Sequence, residues 1–300
     1  MRPYTFFFIL ILTILSGVHC VAQEQHDVPA DNYGMVKTNI RVSYDYTNAS
    51  VSDHFNARVS YEFFKNQKFT LTANANYNSL QVDLSTDDLP IGYDPWQIGM
   101  NKTHLYGQFG VSASFRSRLF GLPFMAFGTV SADWGDKRFQ RVSGIAMGLF
   151  MLRANRNTQF GIGPLVLINS TTKIPAFIVF MYRHRFNDNF AINLYGGMFG
   201  LDYTPTKSDL VTIGGDIDVR SFYFQPNNVD LPKRCRYTNT NFRPGIKYKR
   251  RLATNFYGEI QSGVILKMSS RVTGVSGTKR YFDVPMPTRP FVQIAFNYAL

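Results

Sequence analysis

Along almost the whole chain after Tyr33, apolar residues recur at every second position, and the faces they form carry no charge. A side-chain period of two belongs to extended strands, whose successive residues point to opposite sides of a sheet. In 35–46, Val36, Thr38, Ile40, Val42, Tyr44 and Tyr46 share one face, with Lys37, Asn39, Arg41, Ser43 and Asp45 on the other. In 69–78, Phe69, Leu71, Ala73, Ala75 and Tyr77 alternate with Thr70, Thr72, Asn74, Asn76 and Asn78. Twelve such segments are read near 35–46, 55–63, 69–78, 103–116, 123–134, 142–152, 158–168, 176–184, 190–200, 241–249, 255–267 and 291–300. Their apolar faces hold about 64 positions without Asp, Glu, Lys or Arg, where roughly 11 charges would fall by chance.

Composition narrows what such faces can contact. Charged residues make up 17% of the chain and aromatic residues 15%, against roughly 25% charged in a typical soluble domain. The 45% hydrophobic content excludes disorder, and two cysteines in 300 residues exclude a disulfide scaffold. Past the N-terminus the longest uninterrupted apolar run is Ile174–Tyr182, far short of the roughly 20 residues a spanning helix needs. An apolar outer face of this extent without helices calls for lipid, and lipid tolerates a sheet only when it closes on itself. Aromatic residues gather at the ends of the faces (Tyr44, Tyr46, Phe63, Phe69, Phe115, Phe124, Trp134, Tyr182, Phe190, Tyr248, Phe256 and Tyr298). That distribution matches the aromatic girdles of a membrane barrel.

Residues 1–22 read as a signal peptide. Arg2 supplies the positive start, Phe6–Leu15 the apolar run, and Cys20 and Ala22 the small residues before a cut at Gln23. The expected organisation is a cleaved signal at 1–22, an N-terminal periplasmic segment at 23–34 and one barrel at 35–300. Cleavage leaves Cys235 as the single cysteine, which cannot make an internal disulfide. Mass spectrometry of the mature N-terminal peptide should find it starting at Gln23; a mature peptide containing Phe6–Leu15 would contradict the assignment.

Five connections are short: Lys65–Lys68, Ser117–Leu122, Arg153–Asn157, Phe186–Asn189 and Arg250–Thr254. The longest, 79–102, 201–240 and 269–290, fall between them. With the N-terminus in the periplasm, all the short turns lie on that side and the long loops outside. Twelve strands satisfy this parity, and fourteen is the alternative. Ile213–Phe224 has strand character, but counting it as a spanning strand breaks the parity, so it is assigned to a hairpin or extension within the outer loop 201–240. Basic residues concentrate at the short turns (Lys65, Lys68, Arg116, Arg118, Arg153, Arg156, Arg183, Arg185, Lys249, Arg250 and Arg251), where anionic headgroups would meet them. Their scatter over separate turns, with the export signal, sets nucleic acid aside as the reason for a pI near 9.7.

On these grounds the chain resembles bacterial outer-membrane β-barrel families, over residues 1–22 and 33–300 and by pattern alone. Its C-terminal Val292-x-Ile294-x-Phe296-x-Tyr298-x-Leu300 resembles the signal read by the barrel assembly machinery, although such signals commonly end on Phe or Trp and this one ends on Leu300. The resemblance implies the outer membrane of a diderm bacterium, with outer-membrane lipids, the assembly machinery and periplasmic chaperones as partners. It implies no cofactor, and a shared barrel names no cargo.

The inward faces are where chemistry would lie. Their ionisable residues are Lys37, Arg41, Asp45, Arg58, Glu62, Asp133, Arg243, Lys247, Glu259 and Lys267. Closure brings the strands carrying nearly all of them side by side, so the charge forms one wall, with Gly144, Ala146, Gly148, Gly161 and Gly163 as small residues opposite. Two readings follow: a charged ladder along a narrow passage for small polar or anionic solutes, or long side chains reaching across to fill a plugged structural or surface-interaction barrel. An outer-membrane lipid hydrolase is the remote third. His104 faces inward with Tyr106, Ser112 and Ser114, but Ser112 lies roughly 26 Å along the strand, too far to be activated. The expectation is therefore no enzyme. His26, His54, His104 and His184 lack metal-ligand spacing, and Cys235 is expected in an exposed loop.

Overall fold

The computed structural model describes residues 38–299 apart from 48–50, 86–88, 90–92, 97, 169–175, 196–197, 228–229, 276–278 and 285. The signal peptide, the 23–34 segment, Lys37 and Leu300 thus lie outside the described residues. Fifteen strands follow one another: β1 (Thr38–Thr47), β2 (Val51–Lys65), β3 (Phe69–Val82), β4 (Thr103–Leu119), β5 (Leu122–Gly135), β6 (Arg138–Ala154), β7 (Thr158–Ile168), β8 (Ala176–Arg185), β9 (Phe190–Asn193), β10 (Phe199–Thr206), β11 (Asp209–Phe224), β12 (Cys235–Ala253), β13 (Phe256–Gly274), β14 (Arg280–Asp283) and β15 (Arg289–Ala299). From β1 to β13 each strand pairs antiparallel with the next, β13 also pairs with β15, and β15 returns to β1. Fourteen strands thereby close a barrel, while β14 adds only to one end of β13.

Fourteen replaces the twelve expected as the first estimate, and the missing pair lies in one place. The segment read as a single strand over 190–200 is two, the four-residue β9 and the start of β10, and Ile213–Phe224 belongs to the wall as β11. Two strands enter together, so antiparallel parity survives. Strand β10 escaped notice because Thr204, Pro205 and Thr206 break its alternation and Lys207-Ser208 is the shortest of turns.

Thr38 and Ala299 lie at one end of the barrel, called the near rim; the opposite end is the far rim. The near-rim connections are 66–68, 120–121, 155–157, 186–189, 207–208 and 254–255. Three share one device. The side-chain oxygens of Asn66, Asn155 and Asn187 each accept two backbone N–H groups two and three residues on, at 2.7 to 3.1 Å. This Asx turn reverses the chain without help from a neighbouring strand. The Phe120-Gly121 turn has positive φ at both residues, as does Asp136-Lys137 at the far rim, which fits two-residue hairpins to the strand twist.

The faces divide as the alternation requires. On β1, Tyr44 and Tyr46 are 43% and 55% exposed, while Asp45 between them is 2% exposed and faces the lumen. Val292, Ile294, Phe296 and Tyr298 on β15 are likewise exposed on the outer face. Outward glycines are shielded by aromatic rings: the Trp134 indole lies over Gly107 and packs at a tilt against Tyr77, and Phe242 covers Gly215 and stacks on Phe199. An outer surface of exposed Val, Ile, Leu, Phe and Tyr on a sheet without free edges is the surface a bilayer solvates.

Strands β6 to β8 correct one register. Ile145, Met147, Leu149 and Met151 point inward, and Gly144, Ala146 and Gly148 point out, reversing the expectation. A Cβ on Gly148 would meet the outward ring of Phe124, whereas one on Gly161 would meet the inward Met151 and Met181. Of the five small residues, only Gly161 and Gly163 face the lumen. Both faces of these strands are apolar, so a period of two cannot choose between them.

Candidate functional site

The lumen is built from strands of unequal height, and that inequality closes it. Strands β7 to β10 have 4 to 11 residues, whereas β11, β12 and β13 have 16 to 19. The tall side leans over the far mouth. The end of β11 reaches across to β4 and β5: Phe222 stacks on His104 with ring centroids 3.8 Å apart, and the Tyr223 hydroxyl donates to Asp133 at 3.2 Å. Residues of the 83–102 connection fill the remaining space. Leu84, Leu89, Ile98 and Met100 pack with Leu80 and Val82 of β3, Phe222 and Phe224 of β11, Cys235 and Tyr237 of β12, and Val272 of β13. This cap is an apolar core of ordinary protein type inside the far mouth. Cys235 is thus fully buried and not an exposed loop residue.

Below the cap lies a layer of ion pairs centred on Asp45. Its carboxylate accepts from Arg220 at 2.6 Å, lies 3.6 Å from Arg243, accepts from Gln293 and contacts His54 at 3.3 Å. Arg220 also donates to Asp218 at 2.6 Å, and Arg243 pairs with Asp216, which accepts from Gln261 at 3.1 Å. His54 reaches Asn78 at 3.0 Å through its other nitrogen. Nearer the near rim, Arg41 pairs with Glu259 at 3.0 Å, Lys249 stands 4.0 Å from the same carboxylate, and Asn297 donates to it at 2.7 Å. Carboxylates shut away from water require such partners, and Asp45, Asp216 and Glu259 each have more than one.

The structure therefore places the expected charged wall as follows. Arg41, Asp45, Arg243 and Glu259 come together in these networks. Arg58 stands beside Arg41 and Asn76 in register, half-buried. Glu62 pairs with Lys65 at 3.3 Å near the rim, and Lys247 sits between Thr212 and Gln261. Lys267 donates to the Val284 carbonyl at 2.5 Å, beside the cap. Asp133 lies apart, bound by Arg141, Gln108, Ser143 and Tyr223. Asp216, Asp218 and Arg220 were missed because β11 was placed outside the wall; their spacing of two in Asp216-x-Asp218-x-Arg220 is the signal that would have found them.

Across from the charged wall the lumen is apolar at mid-depth, while Arg183 and Arg185 of β8 and Asp202 of β10 share the inward face nearer the near rim. Leu149, Met151, Leu165, Val179 and Met181 form a second buried cluster, with Met125, Ile145 and Met147 against it. Toward the near rim several inward side chains are half-buried, among them Arg41, Arg58, Thr72, Ser114, Lys247 and Tyr257, while Ser60, Lys249 and Glu259 are buried. The lumen is thus a vestibule at the near rim, floored by ion pairs and sealed by the cap.

His104 has no catalytic setting. Its ring lies on Phe222, and its Nε2 bonds the Met100 carbonyl at 2.8 Å, while Ser112 bonds Asn74 and Thr129. Asp45, His54 and Tyr106 do form a chain, at 3.3 and 3.4 Å, but Arg220 and Asn78 occupy the same groups. Among the described residues no group of three or more His, Cys, Asp or Glu could hold a metal ion.

No family model matches the chain, and no curated protein does. Solved structures similar to it are outer-membrane barrels. The KdgM porin aligns at 9% identity and a TM-score of 0.36, over 87% of this chain and 99% of its own. An outer-membrane channel from Pseudomonas putida F1 aligns at 9% and 0.44, over 91% and 99%. The outer-membrane phospholipase of Salmonella typhi aligns at 10% and 0.36, over 90% and 94%. Channels and an enzyme stand side by side among them, so the likeness does not choose between these functions. The barrel itself rests on the strand register above.

Proposed function

We propose that this chain is an outer-membrane β-barrel forming a narrow passage for small polar or anionic solutes, closed in the conformation described here by its far-rim cap. The near rim, with the short turns, is the periplasmic side, and the signal at 1–22 delivers the chain there. The single observation that carries the reading is the set of half-buried basic side chains, Arg41, Arg58 and Lys247, on the inner face between the ionic layer and the near rim. A barrel meant only as a filled scaffold has no need of water-accessible Arg and Lys side chains on its inner face. A confined charged pathway concentrates counter-ions and so favours anions.

Single-channel recording in planar bilayers tests this. The unaltered protein should pass little or no steady current. Leu80→Asp with Ile98→Asp, which puts carboxylates into the cap, should open events with anion preference, and Arg58→Gln with Lys247→Gln should weaken that preference. Both sets should keep heat-modifiable gel mobility, the mark of a folded barrel. A folded cap variant that still passes no current would leave a plugged scaffold or surface-interaction barrel in place of a passage.

A further inference from the structure

On the outer surface at the near rim, Arg153, Thr158, Phe160, Tyr182 and His184 line a groove of about 400 Å³. The groove exists because of a register shift. Strict alternation along β6 would turn Arg153 inward after the inward Met151 and the outward Leu152. A bulge between Met151 and Arg153 sets Arg153 opposite Phe160, whose face is the outer one. Bulges are a common means of re-aiming one side chain without disturbing the rest of a strand. Here the result is an exposed guanidinium among lipid-facing aromatic rings.

Beside it, Thr158 Oγ1 and His184 Nδ1 are 2.9 Å apart. When the hydroxyl donates to Nδ1, the ring proton resides on Nε2, which leaves the imidazole one donor for an acceptor in the groove. Tyr182 stacks against His184, Phe160 packs edge-on to Tyr182, and the exposed Ile162 and Phe180 continue the same face toward mid-barrel. The groove therefore joins two anion donors at the aromatic belt to an apolar track along the barrel wall.

We propose that this groove is a binding site for one anionic phospholipid of the near-rim leaflet, with its phosphate between Arg153 and His184 and an acyl chain along Phe160, Ile162 and Phe180. A guanidinium matches phosphate oxygens in pairs, and the belt sets the depth at which headgroup phosphates lie. The inference rests on the membrane reading of the outer surface but not on the lumen's being a passage, so loss of conductance leaves it standing.

Native mass spectrometry of the detergent-solubilised barrel, titrated with palmitoyl-oleoyl phosphatidylglycerol, tests the site. One adduct should persist on the unaltered protein, weaken about fivefold for Arg153→Gln, the loss expected for one cation near a charged surface, and weaken also for His184→Phe, which keeps the ring and removes the donor. Arg116→Gln with Arg118→Gln, at another near-rim turn, should leave it unchanged. Heat-modifiable mobility shows separately that every variant is a folded barrel. Equal adducts in the unaltered and site variants, or equal loss in the Arg116 and Arg118 control, would overturn the site in favour of diffuse attraction. Displacement of the adduct by equimolar inorganic phosphate would overturn the lipid assignment, leaving a simple anion site.

Discussion

Replacing Ile294 by Arg should lower the stability of the membrane-inserted barrel by about 2–4 kcal/mol, the cost measured for a cation facing lipid near mid-bilayer. Ile294 sits midway along β15, opposite Tyr44 on β1 and Ile260 on β13, and all three side chains are exposed on the outer face. A guanidinium there must reach to an interface or draw water into the hydrocarbon. Thr72→Arg is the matched comparison. Its side chain is inward, half-buried and in register with Glu62, so the new charge meets water and a carboxylate. That change should cost well under ~1 kcal/mol. Urea titration of protein folded into vesicles, read from the fluorescence of Trp96 and Trp134, separates the two. Equal costs would mean that the outer face does not meet lipid.

That contrast depends on a division of faces legible from the sequence wherever one face is polar. On β1, β2, β3 and β15 the alternation of Tyr or Val with Asn, Ser or Asp admits one orientation only, and the structure has it. On β6 to β8 both faces are apolar. There the choice between an inward Met147 and an inward Gly148 is made by closure, because the lumen's curvature gathers Met151, Leu165 and Met181 into a cluster while Gly148 makes room for Phe124 outside. The cap was not legible for a related reason. Leu80 and Val82 continue the inward face of Asn74, Asn76 and Asn78, so apolar side chains replace polar ones midway along a single face. Such a switch marks the depth at which a lumen stops being wet, but it acquires that meaning only once β11 is known to cross the mouth. Placing β11 in a loop thus hid both the cap and the acidic half of the ionic layer.

The ionic layer carries the largest single-residue effect. Asp45→Ala should destabilise the barrel by about 3–5 kcal/mol, because it strips the shared partner from two buried cations. Arg220 is 4% exposed and Arg243 5%, and neither can turn to water without dismantling the wall. Each keeps one carboxylate, Asp218 for Arg220 and Asp216 for Arg243, so the loss is that of a shared hub and not of every contact. Glu62→Ala removes a partner from the more exposed Lys65 and should cost no more than about 1 kcal/mol. Arg220→Met should cost less in the Asp45→Ala background than in the unaltered chain, since Asp45 is then no longer left without its cation, while Asp218 loses Arg220 in both. A double-mutant cycle by urea titration in vesicles measures that coupling. Additive losses would mean that Asp45 and Arg220 do not stabilise one another, and the layer would then be a row of separate pairs. A positive coupling instead ties β1 to β11 across the lumen, so that the stability of the wall and the closure of its mouth depend on the same carboxylate.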